Sequence, residues 1–363
     1  MTPPVIRLAA QDQGLQLQVR GPSGWLSEWL EGEECSPGES WGITAEPKAL
    51  LGLLSAIHGR ERLALSLVEQ AGGERLSVEG SGLHLLDPRS GLQGLEAAGV
   101  VPALEEEEAW SLSLPADRLA GLLEWGVMAA ADPEANAARA QLILQAVNEE
   151  VRVLATDGRV LAVATALLGT PAAGPLETVL SAAAARRLQT VAGSLPEAAV
   201  LELIGMSGGT LLVLCEAEGV ELLVPAAANA PEPPAVGKVI QQLAERKPLA
   251  TIQVTPALRR DFAAVANSLG AKAVELRSSE GALVATARRD VDAAGEQAFA
   301  TVSLPATDGH NGTVAADAEL LGRVLSQLSG QTVEVSSTQR FVVLDQTSEA
   351  PVTARVVLVR LGA

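Results

Sequence analysis

Few residues here have the type and spacing that bond-making chemistry needs. The three histidines, His58, His84 and His310, stand far apart. None pairs with another at the i, i+4 spacing that presents two imidazoles to one metal. Cys35 and Cys215 are the only cysteines. So distant a pair makes neither a disulfide framework nor a metal set, and fits a reducing cytoplasm. Ser207 sits among glycines in Gly205-Met206-Ser207-Gly208-Gly209. A nucleophile elbow leads from a strand into a helix, and no helix pattern follows, so the segment reads as a hairpin turn. Asp308-Gly309-His310-Asn311-Gly312 also reads as a turn cluster. The Glu105–Glu108 run could hold cations, but four like charges more often mark a solvated boundary. Trp25 and Trp29, four apart, make either an exposed docking patch or packing for the first sheet. No nucleophile–base pair, metal constellation or cofactor motif emerges, so no catalytic residues, metal or cofactor are expected and the chain is not read as an enzyme.

Composition narrows the classes further. The chain has 363 residues, 48% hydrophobic and 19% charged, with a net charge of -18. That length suggests two or three domains. Strong acidity argues against a nonspecific nucleic-acid binder that works by bulk charge, though not against an acidic body with a locally basic face. With five Trp, three Phe and no Tyr, stacking platforms for single-stranded bases are scarce. No apolar run reaches membrane-spanning length, and Met1-Thr2-Pro3-Pro4 does not open a secretory signal.

The elements show one pattern five times: a short strand, a helix start, a Leu- and Ala-rich helix, then alternating strands. The starts at Gly42, Ser111, Thr178, Thr251 and Gly312 are spaced 69, 67, 73 and 61 residues. A near-constant period marks architecture by duplication. Residues 5–20 read as a hairpin about Gln11–Gly14. Helices are predicted at 47–57, 117–128, 182–192, 256–268 and 317–328, the last with Leu320, Leu321, Val324, Leu325 and Leu328 on one face. Strands are predicted at 62–68, 75–79, 82–86, 141–147, 151–156, 159–167, 199–204, 210–215, 219–224, 272–277, 282–289, 297–304, 331–336, 339–345 and 352–361. The Pro- and Ala-rich stretch 225–234 reads as a linker. The expected class is α+β: antiparallel sheets, half buried, each covered by a helix.

Within this frame, Val151-Arg152-Val153-Leu154-Ala155-Thr156-Asp157-Gly158-Arg159-Val160-Leu161-Ala162 resembles a strand–turn–strand of the bacterial DNA sliding clamps, the β subunits of the replicative polymerase. The family usually has His-Arg-Leu-Ala after that glycine. Ala354-Arg355-Val356-Val357-Leu358-Val359-Arg360-Leu361 resembles the family's ending in Val-Val-Met-Pro-Met-Arg-Leu. The resemblance spans essentially the whole chain and implies three clamp domains in a crescent, 1–107, 108–240 and 241–363. It also implies a head-to-tail homodimer ring around double-stranded DNA, cytoplasmic and nucleoid-associated, with no chemistry of its own. Such a ring tethers polymerases and clamp loaders through a peptide pocket between the second and third domains.

The same resemblance places the site residues. The partner-peptide pocket would comprise Arg139, Thr156, Gly158, Arg159, Val160, Leu161, Arg355, Val357, Leu358 and Arg360. Arg139 and Arg355 stand where the family has apolar residues, and would need pairing or solvent. The DNA-facing set would be Lys48, Arg118, Arg186, Arg187, Arg259, Arg260 and Arg323. All lie on repeat helices, where phosphate contact would be sequence-independent; ordinary surface pairing is the other reading of these groups. Five helix starts appear where the family has six, so the first strand and helix of domain 1 are expected to be absent, which bears on ring closure. The alternative function is a clamp paralogue that does not encircle DNA and serves replication or repair as an interaction scaffold.

Overall fold

The computed structural model describes residues 5–11, 14–21, 24–31, 41–45, 64–70, 73–80, 83–86, 107–132, 136, 139–169, 176–207, 209–224, 236–268, 270–279, 281–290, 297–307, 310–328, 330–347 and 350–361. The chain divides into two compact units. The first comprises Met1–Ala116 with Ser194–Ala226, and the second Asp117–Gly193 with Ala227–Ala363.

The first unit holds an eight-stranded sheet. Its strands are β1 (Val5–Gln11), β2 (Gly14–Gly21), β3 (Gly24–Glu31), β4 (Trp41–Ala45), β8 (Glu108–Pro115), β13 (Val200–Met206), β14 (Leu211–Cys215) and β15 (Val220–Val224). Their order is β4-β1-β2-β3-β15-β14-β13-β8. Alternation explains the two faces. Leu112, Leu203, Val213 and Leu222 follow one another in register and are buried. The neighbouring row on the other face runs Ser113, Glu202, Leu214, Glu221, Ser27 and Gln18. Burial on that face pushes the Glu221 carboxyl above its ordinary value. A three-stranded sheet comprises β5 (Ala64–Gln70), β6 (Gly73–Gly80) and β7 (Leu83–Leu86).

The hairpin expected at 5–20 is present as β1 and β2. Trp25 and Trp29 belong to β3, a strand the periodicity did not mark. Glu108 opens β8, so the acidic run ends inside a strand rather than in a boundary loop. The helix expected at 47–57 and the linker at 225–234 lie outside the described residues. The turn at Ser207 is a β13–β14 hairpin, closed by Met206 N–H donating to the Thr210 carbonyl at 2.8 Å. Gly205 is required there, because a Cβ would run into the Trp110 indole.

The second unit is built on a twelve-stranded sheet. Its strands are β9 (Gln141–Val147), β10 (Glu150–Thr156), β11 (Val160–Leu167), β12 (Leu176–Ser181), β16 (Lys247–Gln253), β17 (Ala273–Ser279), β18 (Ala282–Asp290), β19 (Gln297–Thr307), β20 (Gly312–Asp317), β21 (Thr332–Ser337), β22 (Phe341–Gln346) and β23 (Val352–Val359). Their order is β12-β9-β10-β11-β23-β22-β21-β16-β19-β18-β17-β20. Five helices are described: α1 (Ala116–Ala129), α2 (Ala182–Ser194), α3 (Val236–Gln242), α4 (Pro256–Ser268) and α5 (Ala318–Gln327). Helix α1 presses close to the sheet at Gly126, where a Cβ would strike Leu142 and Val153. Gly322 of α5 brings that helix to 3.7 Å from the Phe262 ring of α4, measured from an added Cβ.

The duplication is visible in the strand orders. In each of β4-β1-β2-β3, β8-β13-β14-β15, β12-β9-β10-β11, β16-β21-β22-β23 and β20-β17-β18-β19, a lone strand flanks a three-stranded meander. Strands β8, β12, β16 and β20 each lead into a helix and then pair with the meander of the neighbouring half-unit. Among the described residues, β5-β6-β7 is a meander without such a fourth strand.

Candidate partner cleft and basic helices

The strand registers of β11, β23, β22 and β21 define a site from backbone geometry alone. Leu161 pairs with Val357, Val357 with Val343, and Val343 with Ser336. The adjacent row is Val163, Arg355, Asp345 and Glu334. Residues two apart on a strand share a face, so both rows look the same way. Leu161, Val343 and Val357 form a buried apolar cluster with Leu243, and Val163, Val236, Val239 and Phe341 pack against it. Helix α3 and the 3-10 turn Leu243–Glu245 therefore cover this face.

The turn between β10 and β11 stands at one end of it. Thr156 Oγ1 donates to the Val160 carbonyl at 2.6 Å and accepts from Gly158 N–H at 3.0 Å. Asp157 Oδ1 accepts from the N–H groups of Arg159 and Val160 at 2.7 and 2.8 Å. Gly158 has φ +92, a left-handed conformation that glycine adopts without steric cost. The Arg139 guanidinium lies over it, donating to the Asp157 carbonyl at 3.0 Å. Arg159 is exposed, 3.6 Å from Asp317 and 3.9 Å from Asp157.

The pairing that the two unusual arginines require is supplied. Arg139 has a carbonyl and solvent. Arg355 pairs with Asp345, which also lies 3.3 Å from Arg246 Nε. Arg360 is fixed beyond the strand end: its N–H donates to the Arg340 carbonyl at 2.8 Å and its guanidinium reaches the Thr313 carbonyl at 3.5 Å.

Thr156, Gly158, Arg159, Leu161, Arg355 and Val357 thus converge with Arg139. Val160 and Leu358 do not line the same face. They pair with each other, are buried, and alternate to the opposite side of the sheet from Leu161 and Val357. The residues that sequence reasoning missed are Val236, Val239, Leu243, Val343, Phe341, Asp345 and Arg246. The Val236, Val239 and Leu243 spacing of i, i+3, i+7 was the available signal for the covering helix.

Of the basic helix residues, Arg186 of α2, Arg260 of α4 and Arg323 of α5 are exposed, and Arg259 is half-buried. Arg118 of α1 is committed within the protein, donating to the Leu167 carbonyl at 2.7 Å. Arg187 is half-buried, and desolvation lowers its pKa. Lys48 lies outside the described residues. Among the described residues no group of His, Cys, Asp or Glu could hold a metal ion. No described helix is long and apolar enough to cross a membrane.

Half-units of strand, helix and three-stranded meander, exchanging their lone strands, make up the fold of the described residues. The sequence matches no protein-family profile and no curated protein sequence, so the likeness is one of structure. It is close to the DNA polymerase sliding clamp of Pseudomonas aeruginosa, with a TM-score of 0.76 over 99% of this chain and 92% of that one, at 13% identity. A structure of the P. aeruginosa clamp bound to griselimycin gives 0.78 at 14% identity, over 99% of this chain and 91% of that one. The DNA polymerase III β subunit of Thermotoga maritima gives 0.79 at 13% identity, with 99% and 91% covered. The fold of this chain is the bacterial sliding-clamp fold.

Proposed function

We propose that this chain is a non-catalytic clamp that encircles duplex DNA as a head-to-tail homodimer and tethers replication or repair polymerases. The observation that carries the reading is the clamp fold, matched over 99% of this chain and at least 91% of its structural neighbours. The proposed domains are 1–107, 108–240 and 241–363, each in the place of a pair of half-units. Two open strand edges support assembly between copies. Among the described residues β7 pairs only with β6, and β19 is paired only with β18 from Gln297 to Pro305. Phe299 on that β19 edge is 72% exposed, and an unpaired apolar edge invites a strand from another chain. Arg186, Arg259, Arg260 and Arg323 are the proposed phosphate contacts, and the covered cleft is the proposed seat of partner peptides.

The test joins mass to topology. Light scattering after size exclusion should give twice 37.3 kDa, independent of dilution, and the dimer should stay on nicked circular DNA yet run off when the DNA is linearised. A persistent monomer with no topological retention would overturn the ring. That outcome would leave the second reading, a scaffold that does not encircle DNA.

A further inference from the structure

We propose that Val236–Glu245 is a built-in occupant of the partner cleft, and that a leucine-bearing acidic peptide displaces it. The inference rests on reading this face as the seat of a partner. The apolar floor is closed. Leu243 is 1% exposed, Val343 0% and Val357 2%, so no foreign side chain can touch the floor while Leu243 is in place.

The cover is lightly built. Helix α3 has seven residues, none of them buried. It contains Gly237 and the β-branched Val236, Val239 and Ile240, and a helix this short is marginal without packing. Its hold is the Leu243 side chain, the flanks of Val236 and Val239, and at its far end the Arg246–Asp345 ion pair. The release is conservative in charge, because Asp345 keeps Arg355 when Arg246 leaves, so no buried carboxylate is stranded.

Two observations point to what replaces it. The Ser336 hydroxyl is 0% exposed, lies beside Val343 in register, and has no hydrogen-bond partner. Buried polar groups are normally satisfied. A leucine cover cannot satisfy this one, whereas the backbone of an incoming peptide can. The rim also offers unspent cations. Arg355 is already paired with Asp345, and Arg159, 63% exposed, is shared between Asp317 at 3.6 Å and Asp157 at 3.9 Å. The Arg139 guanidinium meets a carbonyl rather than a carboxylate, and among the described residues neither it nor the exposed Arg340 has a carboxylate partner. Guanidinium groups left without a carboxylate select carboxylates flanking the apolar anchor.

The probe is a fluorescein-labelled decapeptide with a central Leu-Phe flanked by aspartates, its control the same peptide with asparagines. Anisotropy titrations compare the full-length chain with Leu243→Ala and Asp345→Asn. Removing the competing side chain should tighten binding about ten-fold, as expected when the competent state is only fractionally populated. Asp345→Asn should tighten it less. The asparagine peptide should bind more weakly, with the difference vanishing at high salt. Equal affinity of wild type and Leu243→Ala would overturn the built-in occupant and leave the cleft reading intact. No binding by either would overturn both. Equal affinity for the two peptides would remove the acidic preference. Hydrogen exchange on the unaltered protein covers the case in which Leu243→Ala does not fold. Bound peptide should speed exchange in 236–245, and slower exchange there would refute displacement.

Discussion

Gly158 shows how much one residue decides. Its φ of +92 turns β10 into β11, and the space above it holds the Arg139 guanidinium. Gly158→Ala should strain the backbone and expel Arg139, at about 1–2 kcal/mol by urea midpoint; an unchanged midpoint would mean the turn relaxes freely. The turn itself was legible, since Thr156-Asp157-Gly158 is a local signal carried by adjacent residues. Asp345 was not, because its partners Arg355 and Arg246 come from other segments and meet it only through strand register and the covering turn. Glu221 was equally hidden, since its burial depends on its neighbours Leu214 and Ser27 across the sheet. Its raised pKa means that the folded chain holds the proton more tightly than the unfolded one. The stability from that group is whole below the unfolded pKa and is lost as pH rises through the folded pKa. Glu221→Gln should therefore flatten this part of the pH profile, matching wild type in acid and equalling or exceeding it at neutral pH. Thermal melts across that range decide it, and parallel profiles would refute the link.

At the scale of elements, the repeat is written in the helix starts. Ser181 Oγ accepts from Ala184 N–H at 3.1 Å, Thr255 Oγ1 from Leu258 N–H at 3.1 Å, and Asp317 Oδ1 from Leu320 N–H at 3.0 Å. Each cap sits where a lone strand ends and its helix begins, and each satisfies a donor that the helix leaves free. Ser181→Ala, Thr255→Ala and Asp317→Ala should each cost about 1 kcal/mol, measured by chemical denaturation. Asp317→Ala adds little more from Arg159, because that pair is exposed. A variant without loss would show that its helix is held by packing alone. These caps are why α2, α4 and α5 were legible within a residue or two. Helix α3 was not, because seven residues give barely two turns of pattern. The exchange of lone strands between half-units was also hidden: which meander β8 or β12 joins is a choice among distant partners that no local periodicity records.

For the whole molecule the governing quantity is a net charge of -18, which opposes any polyanion at long range. If DNA is held as proposed, the hold comes from a few local cations, so the affinity should be modest, with a salt dependence set by the few phosphates they neutralise. Among the described candidates, Arg186, Arg260 and Arg323 are exposed and Arg259 is half-buried. Arg118 is spent on the Leu167 carbonyl, and replacing the half-buried Arg187 would disturb packing as well as charge. The informative variant therefore changes Arg186, Arg259, Arg260 and Arg323 to Ala and leaves the other two alone. Binding to a short duplex should weaken at low salt, and the slope of log affinity against log salt should fall by about 0.9 for each phosphate no longer neutralised. Because arginine–phosphate pairing carries no sequence information, the weakening should be the same on unrelated duplexes. A retained slope would remove these helices from the DNA face and leave protein partners as the reason the clamp fold persists in so acidic a chain.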